Sequence, residues 1–247
     1  MNSFDSSSFK KLDLHIHTPS SLCYSDVTVK PQQVVEAAVA TGLNAIGITD
    51  HNSVQAIDKI REASGKTKLL VFPGIELTTK SGHFLAIFEI ETPVIKIDRL
   101  LDTIGIEPEF RGDGAVQIPD ETEDIFQAIV GEGGLVIAAH IERWPSGFLE
   151  TKESRSSKMA LHANPLLSAL EITVAQNKEQ WNNGLMRGYP KKYACIQGSD
   201  AHAPGEVGRR PFLIRTERIG LEVLKSAFTY WDNVIVFPDQ LSRTLNR

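Results

Sequence analysis

The sequence predicts an α/β fold in which mostly parallel strands form a barrel-like layer with one reactive rim. Three observations carry this. Short apolar runs alternate with helical stripes through most of the chain. Some runs are almost wholly apolar, as in strands buried on both faces; Ala45-Ile46-Gly47-Ile48-Thr49 is the clearest. Histidines and acids recur where the runs end, which is where barrels and open α/β sheets build their sites.

The elements follow in order. Leu12-Asp13-Leu14-His15-Ile16-His17 alternates with period two, so a strand here puts Asp13, His15 and His17 on one face. Two imidazoles so spaced converge on one cation, with Asp13 placed to orient them. A Ser- and Thr-rich loop leads to Pro31, which suits a first helical turn. Val34, Val35, Ala38 and Val39 form the apolar stripe, and Gly42 ends it. After the strand at 45–49 comes Asp50-His51-Asn52 and a helix from about 53 to 63. Leu69 to Phe72 is the third strand, ending at Pro73-Gly74-Ile75-Glu76. Residues 78–88 return through a turn at Lys80-Ser81-Gly82, with His83 opening the way back.

Residues 89–119 carry only a short helical stretch near Ile97 to Leu101, and their Arg111-Gly112-Asp113 tripeptide is read as chance. Asp120 and Glu123 resemble a capping box for a helix with Ile125, Phe126, Ile129 and Val130 on its apolar face. Leu135 to Ala139 is a strand ending in His140. Residues 141–163 read as a mixed-charge loop, a solvated lid. Asn164-Pro165 opens a short helix before a strand at 169–174. A strand at 193–198 runs into Ser199-Asp200-Ala201-His202. A strand at 212–214, a helix near 221–230 and a strand at 234–237 close the chain.

Composition narrows the functional classes. The chain has 247 residues, 41% hydrophobic, enough for a sizeable core, and a net charge of −5 that gives no general pull toward nucleic acid. Cys23 and Cys195 cannot form a disulfide framework and fit a reduced cytosol. No uncharged apolar run is long enough to span a bilayer. The expected organisation is a disordered tail over 1–10 and a single catalytic domain over 11–247. Oligomeric state is not legible.

Six of the seven histidines, His15, His17, His51, His83, His140 and His202, lie beside strand ends or in short turns, and Glu76 and Asp200 stand in equivalent places. A lone strand-end histidine is more often a hydrogen-bonded structural residue. Six together with two acids predict a metal centre, of mixed nitrogen and oxygen donors open to zinc, manganese or iron. A water between two such cations loses its proton near neutral pH and becomes a hydrolytic nucleophile, while the metals neutralise the developing charge. The leaving alkoxide needs a metal or a general acid, for which Asp26, Asp200 or a histidine is available.

Asp13-Leu14-His15-Ile16-His17-Thr18, Gly47-Ile48-Thr49-Asp50-His51-Asn52, Gly74-Ile75-Glu76, Gly82-His83, Ala139-His140 and Gly198-Ser199-Asp200-Ala201-His202 resemble, in order, the motifs of the PHP domain, the polymerase and histidinol phosphatase family. The likeness runs from about residue 11 to 215. It implies a distorted seven-stranded β/α, TIM-like barrel, two to three divalent metal ions and phosphoester hydrolysis. It implies that His15, His17, Glu76 and Asp200 hold one metal. Glu76 bridges to a second, completed by His83 and His140, and His51 and His202 hold a third. The third takes one more ligand from the loop after the first motif. That loop is longer here than the family's short turn; Asp26 is the choice and Cys23 the rival. The ordinary role for Cys23 is a small buried apolar residue.

Arg143 follows His140 closely enough to hold a phosphate bidentately, and the family often places a basic residue in that loop. Glu171 and Asn177 flank another strand end and would support the rim. Arg209 and Arg210 could reach substrate or brace the core edge. His162 is expected at the surface, and Trp144, Trp181 and Trp231 are expected to pack. The expected activity is phosphate monoester or diester hydrolysis on a small molecule, nucleotide or short oligonucleotide. The competing reading is a metal-stabilised, non-catalytic module supporting a polymerase or ATPase partner, whose mark would be eroded ligands. An amidohydrolase-type hydrolase is weaker, because no bridging lysine carboxylate is apparent.

Overall fold

The structure, a computed structural model, describes residues 9–240. Its frame is one sheet of nine strands in the order β7-β6-β5-β4-β3-β2-β1-β8-β9. The strands are β1 (Phe9–Ile16), β2 (Ala45–Ile48), β3 (Leu70–Thr79), β4 (Gly82–Ile87), β5 (Leu135–Ala138), β6 (Leu167–Glu171), β7 (Ala194–Ile196), β8 (Phe212–Arg215) and β9 (Ile235–Val236). The sheet curls until β9 lies beside β7, so the barrel is nearly closed. Seven α-helices lie between strands: α1 (Pro31–Ala40), α2 (Ile57–Ser64), α3 (Val94–Thr103), α4 (Thr122–Gly131), α5 (Arg155–Ala163), α6 (Lys178–Asn182) and α7 (Leu221–Thr229).

The expected parallel crossovers are found at β1–β2, β2–β3, β5–β6 and β6–β7. The middle of the sheet departs from them. β3 and β4 form a hairpin, and β4 then pairs antiparallel with β5. Nine strands stand where seven were implied, because β8 adds antiparallel to β1 and β9 to β8, extending the sheet without further crossovers. The core is continuous from Leu12, Leu14 and Ile16 through Phe72, Phe84 and Phe126 to Phe212 and Phe237. β1 is buried on both faces from Leu12 to Ile16, so its polar residues can only face one another or a ligand.

Several boundaries move for local reasons. Residues 1–8 of the expected tail lie outside the described residues. Phe9 and Lys10, placed in that tail from sequence, already pair with Arg215 and Ile214. β3 runs on through Glu76, because Gly74 to Thr79 finds a partner in β4. The helix after β2 starts at Ile57, later than expected: Asn52 is bonded to the carbonyls of Asp113 and Val116 and Val54 enters the core first. α4 begins without a side-chain cap, and Val130 on its expected buried face is 39% exposed. The expected loop over 141–163 contains α5, whose N-cap Ser154 accepts a hydrogen bond from the backbone N–H of Ser157. Asn164 ends that helix instead of opening another. Arg111 of the Arg-Gly-Asp tripeptide is an ordinary structural residue, paired with Asp98 and Asp102. No helix among the described residues is long and apolar enough to cross a membrane.

Candidate metal centre

The ends of β1, β2, β5 and β7 and the middle of β3 converge on one buried carboxylate, Glu76. Five imidazoles surround it. His83 Nδ1 and His140 Nε2 lie 2.8 and 2.9 Å from Oε1. His15 Nε2, His17 Nε2 and His51 Nδ1 lie 3.3, 3.1 and 3.0 Å from Oε2. Asp200 completes the group, with Oδ1 3.1 Å from His17 Nε2 and 3.4 Å from His15 Nε2. His15 Nε2 and His17 Nε2 face each other at 3.2 Å. His202 stacks on His17, ring centroids 4.1 Å apart.

Supporting side chains fix how each ring presents itself. Glu171 Oε2 sits 2.9 Å from His15 Nδ1, so the proton there leaves Nε2 as a lone pair facing Glu76. Ser21 Oγ does the same for His17 Nδ1 at 2.9 Å, and itself donates to Asp50 Oδ1 at 2.7 Å. Gly198 is required beside them: a Cβ there would fall 2.7 Å from both His15 Cβ and Glu171 Oε2. Asp13 works differently from expectation. Its carboxylate accepts from the backbone N–H groups of Ser199, Gly208 and His15, tying β1 to the Asp200 loop without touching an imidazole.

Electrostatics separate these groups from ordinary buried residues. Burial alone depresses an imidazole, and it holds His51 down at about 3. For His17 burial is outweighed by Asp200 and Glu76, and its pKa rises to about 9. His15 is raised well above the usual range, because Glu171, Glu76 and Asp200 together overcome its burial. Glu76 is pushed up by burial yet held well below the carboxylate range by His15, His51 and His83, so it is ionised at 0% exposure. Its Oε2 makes no hydrogen bond, and neither does His51 Nδ1. Converging lone pairs around unpaired buried donors and acceptors fit a divalent cation. Donor atoms of His15, His17, Glu76 and Asp200 lie within 4.8 Å of one another, as do those of His51, Glu76 and His83, and those of His17, His51 and His202.

Eight of the nine predicted metal ligands are thus brought together; Asp26 is not. It is exposed and turned to its own loop, accepting from Thr28 N–H at 2.9 Å and Thr28 Oγ1 at 2.7 Å. The same loop delivers Cys23 instead, with Sγ 3.1 Å from His202 Nε2 and the residue exposed, not buried as an apolar filler would be. Arg143 stands at the rim, its guanidinium paired with Asp200 Oδ2 and its side chain 37% exposed. Arg209 and Arg210 donate to the carbonyls of Gly198, Ser199 and Asp200, bracing that loop. Asn177 is bound to Glu142, away from the cluster.

Two further expectations fail. His162 is 0% exposed, caged by Trp181, Tyr189 and Tyr193 with neither ring nitrogen bonded. Trp144 does not pack: it is 77% exposed, whereas Trp181 is fully buried. Neither has a sequence signal, since one lies in a helix and the other in a loop without a periodic pattern.

The PHP domain family model matches residues 13–186. A 5'-3' exoribonuclease of Haemophilus influenzae is 31% identical over 70 residues, 28% of this chain and 24% of that protein. The lesion-specific endonuclease Q of Pyrococcus furiosus superposes with a TM-score of 0.69 at 19% identity, over 90% of this chain and 56% of that one. A two-domain protein from Bacteroides vulgatus, containing a predicted PHP-like metal-dependent phosphoesterase, gives 0.65 at 19% identity, over 96% and 69%. At these identities the two structures agree in fold. The chain spans only part of the length of each of these three proteins.

Proposed function

The chain belongs to the PHP domain family, and we propose that it is a metal-dependent phosphoesterase hydrolysing a phosphate monoester or diester of a small molecule, nucleotide or short oligonucleotide. The observation that carries this is Glu76: one ionised, fully buried carboxylate with five imidazole nitrogens around its two oxygens. A structural salt bridge would not need five, and a non-catalytic module would not need to keep them all.

Two to three divalent ions, zinc, manganese or iron, fit the donor set. His15, His17, Glu76 and Asp200 would hold one, and Glu76 with His83 and His140 a second. His51 and His202 would hold a third, with Cys23 the nearest donor of the loop that was expected to supply Asp26. When bound, such ions acidify a water and neutralise charge building on the phosphoryl oxygens.

The chain's own residues supply the rest. Glu171 and the Ser21–Asp50 pair each engage a ring Nδ1, which turns Nε2 of His15 and of His17 toward the ions. Asp200, pushed up by burial but held far below the usual range chiefly by His15 and His17, is ionised, which suits a metal ligand and excludes it as the general acid. Arg143 would turn from Asp200 to the phosphate, where its planar fork matches two oxygens. In this reading residues 11–247 act as one catalytic domain in the cytoplasm.

The test is a panel of aryl phosphate, aryl phosphodiester and short oligonucleotide with added manganese or zinc, alongside metal analysis of the purified protein. At least about two equivalents per chain and hydrolysis of one ester class are expected. Full activity in a metal-free protein would remove the mechanism.

A further inference from the structure

Trp144 follows Arg143 directly and stands at the rim with 77% of its surface exposed. It presents a flat apolar face with a polar N–H edge to solvent. Its loop is rigidly seated. Arg143 N–H donates to His140 O at 2.8 Å, His83 N–H to Ser146 O at 2.9 Å, and Gly147 N–H to Arg143 O at 2.7 Å. A Cβ on Gly147 would fall 2.5 Å from the carbonyls of His140 and Ile141, so the turn lies directly against the backbone carrying His140. The backbone that carries the exposed indole is therefore held against the strand end that carries His140.

A cavity of about 390 Å³ lies there, with Trp144 on its wall and His83 among its lining, so it borders the cluster at that residue. That size is in the range of small-molecule sites. Gln117, Glu150 and Thr151 add hydrogen-bonding groups and Lys152 adds positive charge, while Lys80, also in the lining, is paired with Glu121. A flat aromatic face, polar edge groups and a cation beside a phosphate-directed centre match the parts of a nucleotide.

We propose that Trp144 is the stacking platform of a nucleobase subsite, so that the substrate is a nucleotide or an oligonucleotide end and not a base-free phosphate ester. This rests on the phosphoesterase reading only for the position of the phosphate. The base lies on the indole, its edge meets Gln117, Glu150 and Thr151, and the phosphate sits toward His83 and Arg143.

The test is equilibrium binding, which needs no turnover. The manganese-loaded full chain is titrated with AMP and with ribose 5-phosphate, which differ by the base alone. The expected wild-type preference for AMP is about tenfold or more, the scale of one stacked base. Trp144→Ala should bring the ratio of affinities near one, and Trp144→Phe should keep most of it. Equal affinities in the wild type, an unchanged ratio in Trp144→Ala, or equal weakening of both ligands would overturn the subsite. Aryl phosphate hydrolysis by the wild type is read separately. Base preference without hydrolysis would leave the subsite standing and remove the phosphoesterase; hydrolysis without base preference would do the reverse.

Discussion

The protein buries histidines in two ways. At the rim, His15 and His17 are wholly buried, yet their pKa values are raised, because each ring faces carboxylates. At the other place, His162 is equally inaccessible but meets Trp181, Tyr189 and Tyr193, and burial aided by Lys191 lowers it to about 4. The same side chain serves once as a charged-site donor and once as a neutral aromatic. Burial does not distinguish them; the carboxylates do. A buried histidine cluster points to metal chemistry only where acids share its space.

The sharpest way to break the contrast is to remove the acid at its centre. Glu76→Ala leaves five imidazoles without their common partner, and kcat/KM for the accepted ester should fall on the order of a thousandfold. Metal content, measured by mass spectrometry, should fall with it. Retained turnover would mean that the carboxylate is no more than a packing partner. Glu171→Gln is milder, since the amide can still approach His15 Nδ1 but cannot hold its proton as a carboxylate does. Metal affinity should weaken by roughly 10- to 100-fold, and unchanged affinity would reduce Glu171 to a spacer. Arg143→Ala should raise KM about tenfold by losing a charge-assisted contact to phosphate. Wild-type kinetics would leave Asp200 as its only partner.

The smallest effect concerns the aromatic cage. His162 binds its proton more weakly when folded than its ordinary 6.5, so the unfolded chain takes up more protons between about 4 and 6.5. Its contribution to stability is therefore whole above 6.5 and is lost as pH falls toward 4. His162→Phe keeps an aromatic in the cage and cannot charge. The variant should lose less stability than wild type between pH 7 and pH 4, by on the order of 1 kcal/mol in urea unfolding. Parallel curves would show that the ring titrates as if it were in water.

Much of this was legible from the chain alone, for a physical reason. A metal site on a barrel rim is written as short motifs at strand ends, and strands announce themselves by period and apolarity. His15 and His17 share a face because two residues is one strand repeat. Glu76 was legible although β3 continues past it. What was not legible depends on how loops fold back. Asp26 looks like a free ligand until Thr28 captures it. Cys23 becomes a neighbour of His202 only because Ser25 N–H and Oγ both bond the His202 carbonyl and draw the two loops together. Trp144 and His162 exchanged their expected surroundings, since neither lies in a repeating pattern that encodes a face. Asp13 lies on the expected side of β1 but spends its oxygens on amides, a choice made by the distant Ser199 and Gly208.

Asn52, His140 and Asp200, with φ of 46°, 27° and 49°, share a backbone region that side chains other than glycine seldom occupy. Each lies within a rim motif, and each costs roughly 1–3 kcal/mol to hold there. The tightly packed barrel beneath must supply that energy. Glycine at Asn52, which carries no donor to the cluster, should therefore ease the backbone locally while giving up the amide bonds that Asn52 makes to Asp113 and Val116. A rim under this tension is ready-shaped before any ion arrives, so that loading it should involve small adjustments of side chains and little movement of the main chain.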